Sequence, residues 1–198
     1  MDTTRETLLR TTVRLISEGG EAKVRLADVA QQSGLSIGAI QHHFNSREEL
    51  VAAAQVERLM GNTESDITAI SSLLGSSNSV SEFRGAMRAI TLNVIDRSRA
   101  DLRLERISSL AAIHGRPESR AAASALLTKL NGVFADVIRG LQDRGYLRPE
   151  LDPAAVALFI QAYALGMVVA DLQEPPVDAE SLAVVIDRFM DSVLMPDG

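Results

Sequence analysis

Residues 26–44 carry apolar side chains at helical spacing, and one glycine-containing turn interrupts the pattern. The apolar positions of 26–32 follow the i, i+3, i+4 spacing of a short amphipathic helix. Gly34 then suits a left-handed turn, and Ser36 is a favourable N-cap for a further helix that ends near Phe44. A helix, a tight turn and a second helix in this order predict a helix-turn-helix.

The rest of the chain also favours helices, because Ala, Leu, Arg and Glu dominate and no stretch alternates apolar and polar residues as a strand does. We predict a first helix capped by Thr3 or Thr4. A long fourth helix is predicted from Ser46 to about Leu74, with Glu49 completing a capping box. Later helices are predicted at roughly 81–99, 101–114, 117–144, 153–172 and 179–194. The predicted fold class is therefore all-α.

The composition limits the chemistry that this chain can perform. It contains no cysteine, which removes disulfide frameworks, thiol catalysis and cysteine-based zinc sites. The N-terminal stretch lacks the uninterrupted apolar core of a signal peptide, so we expect a cytoplasmic protein. The net charge of −6 gives no whole-chain basic footprint for nucleic acid. A specific DNA-binding protein needs to neutralise only a few phosphates, so this charge leaves that class open.

The segment 153–170 is nearly all apolar and tests whether the chain spans a membrane. It reaches only the lower limit of a spanning length, contains Gln161, and is flanked by Asp152 and Asp171 without lysine or arginine anchors. We therefore expect no membrane span, and we expect this helix to be buried on two sides.

The helix that starts at Ser36 has two chemically different faces when it is placed on a wheel at about 100° per residue. Ile40 and Phe44 point inward. The outward side carries Gly38, Gln41 and His42, with Ala39 at its edge. Such a short, polar, acid-free face fits the major groove, where Gln41 can pair with adenine and Ala39 or Ile37 can touch a thymine methyl group.

The adjacent histidines raise the question of a metal site. Side chains at His42 and His43 diverge by about 100°, whereas a zinc pair on a helix prefers i, i+4 spacing. No third ligand stands at a suitable spacing, so we expect neither a metal nor a cofactor. His43 lies at the edge of the inner face, and packing or hydrogen bonding is the alternative role for it.

Several short motifs of this N-terminal region resemble the TetR family of transcriptional regulators. They are Val29-Ala30, Ser33-Gly34-Leu35-Ser36, Gly38-Ala39-Ile40, His43-Phe44 and Ser46-Arg47-Glu48-Glu49-Leu50. The resemblance covers about 45 residues without a gap, and a looser similarity follows at 145–153.

The resemblance implies a division of labour along the chain. Residues 1–47 would form a three-helix helix-turn-helix domain that binds DNA, and residues 48–198 a helical domain for ligand binding and dimerisation. Arg47 would bind a backbone phosphate and His43 would support one. Gln41 replaces the tyrosine that is usual in the family. The threonine that commonly opens the second helix is replaced near Arg25, which can still hold a phosphate by its charge but provides no N-cap. The implied DNA-binding residues are Arg25, Ser36, Ile37, Gly38, Ala39, Gln41, His42, His43 and Arg47.

Two further sets of residues are candidates for the C-terminal functions. Candidates that line a ligand site are Phe83, Met87, Leu110, His114, Phe134, Tyr163 and Met167. Plain core packing is the alternative for each of them. Candidates for the dimer interface are Ala162, Gly166, Ala170, Val185 and Phe189, and packing within one subunit is the alternative.

The function implied by the resemblance is that of a ligand-responsive transcriptional regulator. We expect a repressor that binds a palindromic double-stranded DNA operator as a homodimer and is released by a small-molecule inducer. An enzyme is the rival class, but the sequence has no nucleophile–base pair, no glycine-rich phosphate loop and no paired carboxylates in an apolar setting. A helical adaptor that binds protein is a third class, and it would not need the outward Gly38, Gln41 and His42 beside Arg47.

Overall fold

The structure is a computed structural model that describes residues 3–114 and 116–196, with the side chains of Asn62 and Glu118 left aside. Within these ranges the chain forms helices and turns and no β-strand. The helices are α1 (Thr4–Gly19), α2 (Leu26–Ser33), α3 (Ile37–His43), α4 (Arg47–Gly75), α5 (Val80–Ile95), α6 (Ala100–His114), α7 (Pro117–Asp143), α8 (Pro153–Gly166), α9 (Val168–Asp171) and α10 (Ala179–Leu194). Two 3₁₀ turns lie at Glu21–Lys23 and Arg97–Arg99. The predicted all-α fold class is thus confirmed.

The chain divides into two compact units, and each contains its own core. Unit 1 combines Met1–Gly61 with Ser108–Ala125, and unit 2 combines Asn62–Ile107 with Leu126–Gly198. Unit 1 therefore includes the end of α6 and the start of α7, which lie far from the helix-turn-helix in the sequence.

The core of unit 1 explains why α1 to α3 fold together with the beginning of α4. Its buried residues are Leu8, Leu9, Ile16, Val24, Val29, Ile40, Phe44, Leu50, Val51 and Ala54. Thr3 caps α1 as predicted, since its hydroxyl accepts from the Glu6 amide while the Glu6 carboxylate accepts from the Thr3 amide.

The predicted capping box at α4 is half right. The Ser46 hydroxyl accepts a hydrogen bond from the Glu49 amide at 3.1 Å. The Glu49 carboxylate, however, accepts from the backbone and side-chain nitrogens of Asn45, each at 2.9 Å, and not from the Ser46 amide. The side-chain amide of Asn45 offers a second donor to the same oxygen, which favours this arrangement.

Unit 2 has a core of aromatic and aliphatic residues that includes Phe83, Phe134, Ile138, Leu141 and Leu147. Arginines reinforce it between helices. Asp66 of α4 accepts hydrogen bonds from Arg99 and Arg106. Arg88 of α5 binds Asp187 and Glu180 on α10. Arg103 of α6 makes a bidentate ion pair with Asp171 of α9.

Two predicted helices are shorter than the sequence suggests. The helix predicted over 81–99 ends at Ile95, because the Asp96 carboxylate accepts a hydrogen bond from the Ser98 amide and offers the backbone an alternative to the helix. The helix predicted over 153–172 is divided into α8 and α9 at Met167. The preceding Gly166 weakens the helix there, since glycine loses more backbone freedom on ordering than any other residue.

Candidate DNA-binding surface

The turn between α2 and α3 is built as the sequence predicts. Gly34 closes α2 in the left-handed region with φ +72°, and its amide donates to the Ala30 carbonyl. Ser36 caps α3, because its hydroxyl accepts from the Ala39 amide at 3.1 Å. These two residues set the direction in which α3 leaves the turn.

Burial fixes the rotation of α3 about its axis. Ile40 is 1% exposed and Phe44 is 3% exposed, so both belong to the core of unit 1 as predicted. The guanidinium of Arg5 covers the ring of Phe44 at 5.4 Å from its centroid. Because the inner face is anchored on both turns of the helix, the opposite face must look outward.

The outward face of α3 carries the predicted recognition residues. Those that are exposed are Ser36, Ile37, Gly38, Gln41 and His42, whereas Ala39 and His43 are half-buried at the edges. The rings of His42 and His43 meet edge to face, with their centroids 5.1 Å apart. The face therefore offers an amide, an imidazole and a small apolar patch around a glycine without a side chain.

Arg47 has contacts that the sequence did not indicate. Its Nε donates to the Val24 carbonyl at 2.7 Å, its Nη2 to the Glu21 carbonyl at 2.6 Å, and its Nη1 to the Glu48 carboxylate at 3.3 Å. All three nitrogens thus bind the protein itself, and Arg47 joins the start of α4 to the 3₁₀ turn. Its predicted phosphate contact stays a prediction.

Two further cations, Arg25 and Lys23, lie in the chain just before α2. Arg25 is exposed and precedes α2 without providing a side-chain cap, as the loss of the usual threonine predicts. Lys23, in the 3₁₀ turn two residues earlier, is also exposed, and sequence reasoning missed it. The only available signal was a basic residue shortly after the Gly19-Gly20 pair at the end of α1.

Sequence reasoning also missed Glu21, which accepts hydrogen bonds from two side chains of unit 1. Gln55 donates to Glu21 at 3.2 Å, and Arg116 forms an ion pair with it. The hydrogen bond from Arg116 lowers the pKa of the Glu21 carboxyl against the opposing effect of burial. Because Arg116 follows Glu21 by 95 residues, no local pattern could have joined them.

The predicted ligand-site residues divide between the two units. Phe83 and Phe134 lie in the core of unit 2, and Met87, Tyr163 and Met167 pack against that core. Leu110 and His114 belong to the α6 end that forms part of unit 1, where His114 is exposed. The structure therefore brings together the five residues of unit 2.

Tyr163 is the most unusual member of the predicted ligand set. Its hydroxyl is buried and has no hydrogen-bond partner within the described part of the chain. Burial, together with the negative charge of Asp187, raises the pKa of Tyr163 to about 12. A buried hydroxyl without a partner carries an unused donor and acceptor.

The predicted dimer residues lie on exposed parts of α8 to α10, except for the half-buried Ala170. Val185 is 65% exposed and Phe189 is 48% exposed. Phe189 contacts Phe159 of α8, with ring centroids 5.8 Å apart. The segment Pro153–Asp171 is long and apolar enough to span a membrane by length and composition. Only 11% of its most apolar stretch of 18 residues is buried, however. The prediction that this helix is buried on two sides is therefore wrong for a single copy of the chain.

An all-α fold with a helix-turn-helix and an outward polar recognition helix defines a DNA-binding regulator, and comparison with known proteins agrees. Residues 8–54 match the family described as bacterial regulatory proteins, tetR family. The chain is 27% identical over 199 aligned positions to the HTH-type transcriptional regulator TtgR of Pseudomonas putida, and the alignment covers 96% of this chain and 90% of the relative. These similarities support a DNA-binding transcription regulator whose N-terminal domain is of the tetR type.

Solved structures share the fold at low sequence identity. A bacterial regulatory protein in the tetR family from Rhodococcus RHA1 superposes with a TM-score of 0.59 at 14% identity, over 100% of both chains. The fatty acid degradation regulator FadR from Bacillus halodurans gives a TM-score of 0.58 at 16% identity, over 96% of this chain and 95% of that one. At this identity the similarity concerns the fold alone.

Proposed function

We propose that this protein is a ligand-responsive repressor, not an enzyme, that binds a near-palindromic operator as a homodimer and is released by a small-molecule inducer. The observation that carries the DNA-binding part is the outward face of α3, where Gly38, Gln41 and His42 are exposed beside the capped start of the helix. We assign DNA contacts to residues 1–47 and both other functions to residues 48–198. Because it acts on DNA, we place the protein in the cytoplasm.

The contacts to DNA divide into two kinds in this proposal. Gln41 reads a base edge or replaces a phosphate-binding phenol, and Ile37 and Ala39 approach thymine methyl groups. Ser36, His42, His43, Arg25 and Arg47 hold the DNA backbone. Since Arg47 already binds two carbonyls, a phosphate contact requires that it share its donors or exchange them.

Selection of duplexes from a random pool tests this assignment. Two recognition helices related by a two-fold axis demand two inverted half-sites, centred about 34–36 Å apart or at a multiple of this distance. We expect selected duplexes and their footprints to show this symmetry. A protected site without inverted symmetry would contradict the dimeric repressor.

The homodimer is supported by an exposed apolar face that α8 and α10 share. Leu158 is 61% exposed and Phe159 is 43% exposed, next to Val185 and Phe189 of α10. Ala162 and Gly166 continue this face and allow another helix to approach closely. A contiguous apolar surface of this kind usually marks an interface.

Light scattering of an interface variant tests the dimer. Phe189→Asp would place a charge in the apolar interface, so we expect monomers at micromolar concentration where the wild type is a dimer. Val80→Asp, at a residue of α5 that is 50% exposed, adds the same charge elsewhere and should remain dimeric. If the Phe189→Asp variant remained dimeric, the dimer interface would have to lie on another surface.

The inducer is proposed to bind among the residues of unit 2 that surround Tyr163. The buried hydroxyl favours a largely apolar molecule with one hydrogen-bonding group. Release requires that this molecule bind the DNA-incompetent state more tightly, and a hundredfold difference corresponds to about 2.7 kcal/mol of coupling. In a screen for compounds that release the selected duplex, Tyr163→Phe should weaken release by hydroxyl- or carbonyl-bearing compounds and leave pure hydrocarbons unaffected.

A further inference from the structure

Four polar side chains join the α6–α7 segment (Ser108–Ala125) to α4 and to the 3₁₀ turn that precedes α2, within unit 1. The Ser109 hydroxyl of α6 donates to the Gln55 side-chain oxygen at 3.1 Å. The Gln55 nitrogen donates to Glu21 at 3.2 Å, and the same carboxylate forms an ion pair with Arg116, just before α7. The result is a continuous polar chain from α6 through α4 to the 3₁₀ turn and back to the start of α7.

Two members of this hydrogen-bonded network, Ser109 and Gln55, are shielded from water. Ser109 is 0% exposed and Gln55 is 3% exposed, so their hydrogen bonds have no solvent substitute. Gln55 uses its oxygen toward Ser109 and its nitrogen toward Glu21, which fixes the orientation of the amide. A displacement of α6 or of the 3₁₀ turn would leave a buried polar group without a partner.

The 3₁₀ turn is therefore held from two sides. Arg47 binds the carbonyls of Glu21 and Val24 from the start of α4, and Arg116 binds the Glu21 carboxylate from the α6–α7 segment. This turn carries the exposed Lys23 and leads directly to the exposed Arg25. The Glu21 carboxylate thus helps Arg47 to fix the backbone that presents two cations.

We propose that Glu21 and Arg116 are positioning residues for DNA binding, so that the α6–α7 segment completes the DNA-binding unit by placing Lys23 and Arg25 for phosphate contact. The inference rests on the DNA contacts assigned under the proposed function. It makes operator affinity depend on a segment that follows the helix-turn-helix by more than 60 residues. The chain connects this segment directly to α6 and α7, whose other parts lie in unit 2.

Affinity measurements on full-length variants test this role, and for Glu21 the sign of the change is decisive. Removal of an acid by itself strengthens attraction to DNA. We expect Glu21→Ala instead to weaken binding to the duplex that the wild type selects, by about twofold to thirtyfold, and Arg116→Ala to do the same. The exposed Glu18→Ala is the charge-matched control and should bind equally well or slightly better.

A charge exchange separates positioning from loss of a fold. Glu21→Arg combined with Arg116→Glu keeps both charges and reverses them, so it should recover part of the affinity that either single exchange loses. Unchanged or stronger binding by Glu21→Ala, or no recovery in the double exchange, would overturn the proposal. If the wild type selects no duplex at all, the proposed function fails, and the distance measurement below decides separately whether Glu21 positions the 3₁₀ turn.

The chain has no cysteine, which permits a direct measurement of position. Spin labels at Ala22→Cys and Ala121→Cys, both exposed and both in unit 1, report the distance between the 3₁₀ turn and α7. Dilution with unlabelled protein removes distances between subunits. Pulsed electron paramagnetic resonance should give one narrow distribution in the wild type and the Glu18→Ala control, and a broad or shifted one in Glu21→Ala. Equal distributions would overturn the inference.

Discussion

Removal of the Asp171 carboxylate is expected to cause a large loss of stability. Arg103 and Asp171 have side chains that are 5% and 3% exposed, and they form two hydrogen bonds of 2.6 Å. Arg103 also donates to the carbonyls of Val94 at 2.7 Å and Asp96 at 2.9 Å. In Asp171→Ala the guanidinium stays buried without its counter-charge, which costs about 3–5 kcal/mol.

Thermal unfolding followed by circular dichroism measures this loss. For a chain of this length about 1 kcal/mol shifts Tm by roughly 2–4 °C, so Asp171→Ala should lower Tm by about 6–20 °C. The matched control is Glu174→Ala, because the Arg97–Glu174 pair is 3.4 Å long and its side chains are 43% and 79% exposed. An exposed pair contributes about 0–1 kcal/mol, so the control should move Tm by only a few degrees. Protein concentration must be equal in all samples, since dimerisation contributes to Tm.

A double variant distinguishes lost attraction from a stranded charge. Arg103→Leu with Asp171→Leu removes both ions, so no buried charge remains, although the Val94 and Asp96 carbonyls lose their donor. We expect it to be more stable than Asp171→Ala and less stable than the wild type. A Tm change below about 2 °C for Asp171→Ala would refute the idea that the pair is buried from water and stabilises the fold.

Four further outcomes are expected. Gln41→Ala should relax preference at one operator position by about 1–3 kcal/mol in binding assays with single-base variants of the selected duplex, whereas equal losses on all sequences would mean a backbone contact. Gly34→Ala should lower the free energy of unfolding in urea by about 1–2 kcal/mol because φ is +72° there. Gly61 lies inside α4, and a Cβ added there would have no neighbouring atom within 4 Å, so Gly61→Ala should raise the free energy of unfolding by about 0.5–1 kcal/mol. Burial raises the pKa of the Asp66 carboxyl, but the hydrogen bonds from Arg99 and Arg106 lower it by more, so that the pKa lies below the usual 3.8. The ionised Asp66 therefore stabilises the fold above pH 3.8, and this stabilisation is lost as the pH falls through the lowered pKa. The Tm difference between wild type and Asp66→Asn should accordingly shrink in acid.

Local patterns in the sequence were sufficient for the helix-turn-helix. The i, i+3, i+4 spacing in α2, the left-handed Gly34 and the Ser36 cap each act within a few residues, so their effect does not depend on the rest of the fold. The same periodicity turned Ile40 and Phe44 inward and left Gln41 exposed. The boundaries of α6, α7 and α10 also follow from prolines, glycines and caps close to them.

Only the tertiary structure decided which distant residues meet. Nothing in the sequence around Arg47 indicates that the Glu21 and Val24 carbonyls take its donors, because those carbonyls become available only when the 3₁₀ turn packs beside α4. The ion pair between Glu21 and Arg116 depends in the same way on the packing of α6–α7 within unit 1. Helical periodicity states which face of a helix is apolar, but it cannot state which partner covers that face. For this reason the apolar segment 153–170 was expected to be buried on both sides, whereas within one copy of the chain much of its surface remains exposed.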